Sequence, residues 1–335
     1  GTIYLLTGNS ILIARLIKAI WSALICVLIY KLGSRNFGES VGRMAGIFVL
    51  LEPHFIIYCG QHLKETEMLF LLIFFLERAD NLLRSRNFRF WAILPTLLIM
   101  LALFTFRTVL GVAVCFAFAL ALVLSSRRVA SLGRRWVMLI VLVLGAAYFV
   151  GGRVASEIER YWNQRDTNQE SRMTVIRKKQ GLAQYATKAV FAPMIFTIPF
   201  PTMVRPFEGQ EEQQLLNGGN YVKNIVSFFV ILAMLMLFFS GKWRSHLVPL
   251  SYMLGYLVVL IMSEFAHSER FHQPAMPMEM LFVAFGISQM LQNVPIVRKI
   301  GSRKIYQTWF TIWIWVMFVA AIGWNWFKLA GRGLV

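Results

Sequence analysis

The sequence predicts an all-α polytopic membrane protein, with about ten transmembrane helices and one sizeable extracytoplasmic loop region. Three observations predict it. Of 335 residues, 58% are hydrophobic and only 15% charged. With a mean hydropathy of +0.61, that composition lies outside the range of soluble globular domains. Apolar runs of membrane-spanning length recur along the chain. The basic residues behind the net charge of +18 fall mostly in short loops between those runs. That is the positive-inside pattern of a multispanning protein, not a nucleic-acid surface.

Helices are expected near 10–30, 43–59, 66–83, 90–106, 108–125, 136–151, 221–240, 247–263, 274–291 and 307–328. They divide the chain into N-terminal helices (1–151), an extracytoplasmic loop region (152–220) and C-terminal helices (221–335). The connecting loops alternate in character. One set carries Lys31, Arg35 and Arg43; Arg78, Arg84, Arg86 and Arg89; Arg127, Arg128, Arg134 and Arg135; Lys242 and Arg244; and Arg298, Lys299, Arg303 and Lys304. These loops are expected to be cytoplasmic. The first helix then starts outside. No basic region of a cleavable signal precedes it, and position 1 is Gly. The expectation is that a further helix and an outer loop come before this sequence. Cys26, Cys59 and Cys115 sit in apolar runs and read as small hydrophobes, not as a disulfide framework.

The opposite, short extracytoplasmic loops hold few basic residues, while the long 152–220 segment on that side is basic, and the ions of the short loops converge at one depth. They are Lys64, Glu65 and Glu67 beside Gln61 and His62, Arg107 in a tight turn, and Glu264, His267, Glu269, Arg270 and His272 in one short stretch. Arg15 and Lys18 add two cations on one face of the first helix. Ionisable groups beside hydrocarbon are expensive and mark a site. Converging cations suit a lipid-linked phosphate, which Arg grips bidentately and Lys meets as a point charge. The carboxylates suit a base or ligands for a divalent cation. His267, His272 and Glu269 are candidates for binding an acceptor or a metal, although their spacing is not a standard zinc pattern.

Each residue also has a plain structural reading. Arg15 and Lys18 snorkel, Lys64 pairs with Glu65 or Glu67, and Arg107 bonds helix-end carbonyls. Glu52, beside Pro53, reads as structural, and Glu279 is a carboxylate inside an apolar helix. In the loop region, Arg153 to Lys179 reads as a charged surface helix. The run 191–201, with its prolines, reads as an interfacial or re-entrant segment. Asn217-Gly-Gly-Asn-Tyr221 reads as a turn before the next span. No internal repeat, P-loop, dinucleotide fingerprint or serine-hydrolase elbow is present.

The order of several motifs resembles GT-C glycosyltransferases, among them protein O-mannosyltransferases and aminoarabinose transferases. Ala14-Arg-Leu-Ile-Lys-Ala-Ile-Trp-Ser-Ala-Leu24 and Val27–Gly38 are similar to that family's second helix. Tyr58–Phe70 is similar to the turn between its third and fourth helices. Leu101–Thr108 resembles its Thr-Arg hairpin, and Ser268–Pro277 its late Arg-Tyr-Pro element with Phe for Tyr. The resemblance implies inverting sugar transfer from a polyprenyl-phosphate carrier to a lipid, glycan or protein acceptor outside the cytoplasmic membrane. It implies carrier-phosphate contacts from Arg15, Lys64, Arg107 and Arg270, and an acidic role for Glu65 or Glu67. The family's chief catalytic carboxylate lies in a loop ahead of the matched part. Two other readings remain open: an O-antigen polymerase or ligase, and a transporter-like or scaffolding membrane protein.

Overall fold

The computed structural model describes residues 11–60, 64–85, 93–124, 133, 135–140, 143, 194–202, 211–263, 269–291 and 303–330. Among them every regular element is a helix. In chain order these are α1 (Ile11–Phe37), α2 (Glu39–Leu51), α3 (Pro53–Gly60), α4 (Glu65–Arg84), α5 (Ile93–Phe106) and α6 (Thr108–Leu124). Then come α7 (Glu211–Phe239), α8 (Leu247–Ser263), α9 (Glu269–His272), α10 (Met276–Leu291) and α11 (Arg303–Ala330).

The helical class follows the sequence, but the count of about ten spans is not confirmed. Three helices are long and apolar enough to cross a bilayer: Arg15–Phe37, Leu216–Phe239 and Lys304–Phe327. The α2–α3 pair, bent by 54°, adds a fourth if it counts as one span. Helices α5, α6, α8 and α10 are apolar but shorter than the ~20 residues a full crossing takes. Most of the expected 136–151 span, and the charged 153–179 helix, lie outside the described residues.

The expected single helix at 43–59 is broken, and the cause is local. Pro53 cannot donate into the ladder of α2 but fits the first position of a new helix. Glu52 caps that helix, its Oε2 accepting the Phe55 backbone N–H at 2.7 Å. The expected turn at 217–221 is also overturned, because α7 runs unbroken from Glu211 to Phe239. Its small residues let α3 come close. A Cβ on Gly219 would stand 2.5 Å from His54 Nδ1, so packing outweighs the poor helix propensity of Gly and Asn.

Helices α1 and α2 pack through their own small residues. Gly38 makes the turn at φ 100°, a conformation open to glycine. A Cβ on Gly42 would lie 2.7 Å from the Tyr30 carbonyl oxygen. With Gly46 it forms the small-xxx-small spacing that lets membrane helices touch backbone to backbone. The core around them includes Ile25, Ile29, Leu32, Leu72, Leu76, Phe282 and Tyr252. The outer faces are apolar too: Phe239, Trp315, Trp326 and Phe327 are each more than 60% exposed. Such a surface belongs against lipid, where exposure of hydrocarbon costs nothing.

Helix α4 carries a polar cluster at each end. One end holds an ionic knot that composition alone did not single out. Asp80 is 1% exposed and accepts from Asn36 Nδ2 at 3.0 Å, Arg84 Nε at 3.0 Å and Arg35 Nη1 at 3.4 Å. Arg35 also reaches Glu77 at 2.5 Å, and Arg84 donates to the Ser245 carbonyl. His246 lies 3.2 Å from Asn36 Oδ1 and stacks on Phe37. Basic residues expected as loop charges are thus built into a clamp on α1, α4 and the turn before α8. The other end holds the candidate site.

Candidate functional site

The site is organised around α9, four residues long, each held by a different side chain. Glu269 accepts Asn220 Nδ2 from α7 at 2.6 Å. Arg270 Nε donates to Glu65 Oε1, on the first turn of α4, at 2.5 Å. The Phe271 ring lies 4.8 Å beneath the guanidinium of Arg107, which stands in the tight turn between α5 and α6. Its carbonyl accepts the Tyr256 hydroxyl of α8 at 2.9 Å. His272 Nδ1 faces Lys223 Nζ of α7 at 2.8 Å. A helix this short does not stand alone; these contacts hold it.

The expected residues therefore meet, though not all as expected. Glu65 and Arg270 form one ion pair instead of acting separately. Glu65 is 3% exposed, while the Arg270 side chain is 44% exposed. Glu67 pairs with buried Lys18 at 3.3 Å, so Lys18 is anchored to protein and does not simply snorkel. Lys64 is exposed at the N-cap of α4, and Arg15 is exposed on α1. The acidic first turn of α4 also complements the positive end of that helix. Glu269 and His272 are engaged by Asn220 and Lys223 as described. His267 and Glu264 lie outside the described residues. Among the described residues, no group of three or more His, Cys, Asp or Glu side chains is placed to hold a metal ion.

The polar atoms at this end that are buried without a hydrogen-bond partner among the described residues include Glu65 Oε2, Thr66 Oγ1 and Arg107 Nη1. Buried polar atoms are nearly always satisfied in folded proteins. An open acceptor on a carboxylate and an open donor on a guanidinium, both tied to α9, are features of a site that receives a ligand. The run 194–202 closes one flank. Ile195, Thr197 and Ile198 are buried, and Asn325 and Trp324 of α11 donate to the Pro201 carbonyl and to Thr202 Oγ1. The expected interfacial segment is thus seated against the bundle.

Sequence reasoning missed Asn220, His54 and Lys223. Lys223 was legible in principle, as a cation three residues into an expected span. His54 and Asn220 carried no periodic signal and became visible only when α3 met α7.

No protein-family model and no curated protein matches the chain. Among solved structures, it is similar to the archaeal oligosaccharyltransferase AglB from Archaeoglobus fulgidus in complex with an inhibitory peptide and a dolichol-phosphate. The identity is 13% and the TM-score 0.45, over 96% of this chain and 44% of that one. The apo form of the Archaeoglobus fulgidus oligosaccharyltransferase gives 14% identity and a TM-score of 0.45, over 92% of this chain and 43% of that one. The chain thus spans less than half the length of these proteins. What the site does is argued from its own residues.

Proposed function

We propose that the protein is a membrane glycosyltransferase of GT-C type, moving a sugar from a polyprenyl-phosphate carrier to an acceptor hydroxyl on the extracytoplasmic face. The observation that carries this reading is the pairing of open groups at α9: the Arg107 Nη1 donor and the Glu65 Oε2 acceptor. Arg107 and exposed Arg270, Lys64 and Arg15 supply cations at the apolar boundary where a lipid phosphate sits. Glu65 supplies the base.

The chemistry divides accordingly. The acceptor oxygen attacks the anomeric carbon and inverts it. The bond to the phosphate oxygen breaks, with its electron pair leaving on the carrier phosphate. Arg107 and Arg270 stabilise that growing charge, which is where a preorganised donor lowers the barrier. Glu65 takes the hydroxyl proton through Oε2, while Arg270 fixes Oε1.

The test is transfer of a labelled sugar from polyprenyl-phosphate donors by the full-length protein in nanodiscs. Loss of transfer in Arg107→Ala, with helicity and melting temperature kept, supports the reading. Unchanged transfer in that variant removes Arg107 from the mechanism.

A further inference from the structure

A second group of ionisable residues lies behind α9, and the transfer chemistry above makes no use of it. Glu52, His54, Lys223 and Glu279 come from the α2–α3 break, α3, α7 and α10, and none is more than 4% exposed. Glu52 is satisfied as an anion, by the Phe55 N–H and by His54 Nδ1, each at 2.7 Å. Lys223 is satisfied as a cation, donating to the Ile198 carbonyl at 2.9 Å and to His272 Nδ1 at 2.8 Å.

Glu279 differs. Lys223 stands 3.8 Å away, beyond hydrogen-bond length. Its Oε1 is buried with no hydrogen-bond partner among the described residues. The first turn of α10 contributes some positive potential, but among the described residues no donor reaches the carboxyl within hydrogen-bond length. An ionised carboxylate without donors is not sustained in such surroundings, whereas a carboxylic acid is. Glu269, the further acid on neighbouring α9, is held by Asn220. His54 completes the group. With Nδ1–H directed at Glu52, its Nε2 is an acceptor, and that atom is buried and unpartnered among the described residues.

We propose that these four residues form a buried proton site: Glu279 carries a proton, and His54 Nε2 is the open acceptor of the same cluster. The proton site is set by the geometry of these four residues and does not depend on sugar transfer.

The test is infrared spectroscopy of the full chain in lipid nanodiscs at neutral pH, in H2O and then D2O. The wild type should show the carbonyl stretch of a protonated carboxylic acid that shifts in D2O. The band should be absent in Glu279→Gln, moved in frequency in Glu279→Asp, and kept in Glu269→Gln. Absence of such a band in the wild type, or its persistence unchanged in Glu279→Gln, overturns the proton site. His54→Asn should slow the exchange of the band into D2O; unaltered exchange would remove His54 from the site. If the band behaves as expected but no donor is turned over, the proton site stands and the transfer reading falls.

Discussion

Arg270 reaches across 205 positions of sequence to donate to Glu65 Oε1 at 2.5 Å. That contact joins a four-residue helix to the first turn of α4, and so fixes two of the groups proposed to act on the carrier phosphate and the acceptor. Removing Arg270 leaves a buried carboxylate without its cation. Because the Arg270 side chain is 44% exposed, water screens part of the pair, and Arg270→Ala should cost about 1–3 kcal/mol. Thermal unfolding of the protein in nanodiscs checks this. In the double variant with Glu65→Gln the losses should not add; simple additivity would mean that the two side chains act independently.

Gly219 faces the ring of His54, where a Cβ would already crowd Nδ1 at 2.5 Å. Gly219→Val should therefore destabilise by about 1–3 kcal/mol through overpacking. It should also displace Asn220 and thereby loosen α9. A melting temperature equal to wild type would show that α3 and α7 are not in that contact.

The knot at the opposite end makes a separate prediction. Asp80 is buried and accepts from Asn36, Arg35 and Arg84. Asp80→Ala removes an acceptor shared by Asn36, Arg35 and Arg84, the two guanidinium groups keeping Glu77 and the Ser245 carbonyl, and should cost about 1–3 kcal/mol. Because this knot is far from α9, the carrier's affinity for folded protein should be unaffected. Equal denaturation of the variant and wild type would contradict it.

His246, beside that knot and outside the spans, has its pKa lowered to about 3 by burial, then by Arg84 and Lys242. Unfolded histidine titrates near about 6.5. Between those values the unfolded chain binds the proton and the folded one does not. Stability contributed by neutral His246 is therefore complete above about pH 6.5 and declines as pH falls toward about 3. The melting temperature should drop between about pH 6.5 and 5, above the carboxylate range. His246→Gln should flatten that slope. A slope identical in both proteins would exclude His246 as its origin.

Placement of the two ends is tested by labelling. Lys64 at the site end and Lys242 at the knot end are both exposed. In a background without Cys26, Cys59 and Cys115, an impermeant maleimide on intact cells should modify Lys64→Cys. Lys242→Cys should react only after lysis. The reverse pattern would place the site on the cytoplasmic face.

The helical class was legible in the sequence, because apolar runs of helical length follow from the bilayer itself. The ions around Arg270 were legible as a cluster beside hydrocarbon, and the structure ties them to α4 and α7. Their partners were less legible. Nothing in the sequence assigns Glu65 to Arg270 and Glu67 to Lys18, since both acids lie in one turn and either could reach a cation. Glu52 read as structural, and its cap on α3 agrees. The bend it caps was not foreseen, because the run 43–59 is apolar on both sides of Pro53. The helix through Gly218 and Gly219 was read as a turn because propensity is local, and the contact with His54 that outweighs it is not.

The most direct measurement is binding of polyprenyl phosphate to the full-length protein in nanodiscs, compared with Arg107→Ala and Arg270→Ala variants that retain wild-type helicity. Saturable binding by the wild type, weakened at least tenfold in each variant, is the predicted result. Equal affinity in all three proteins, or no binding by folded wild type, would contradict a carrier-phosphate site at α9.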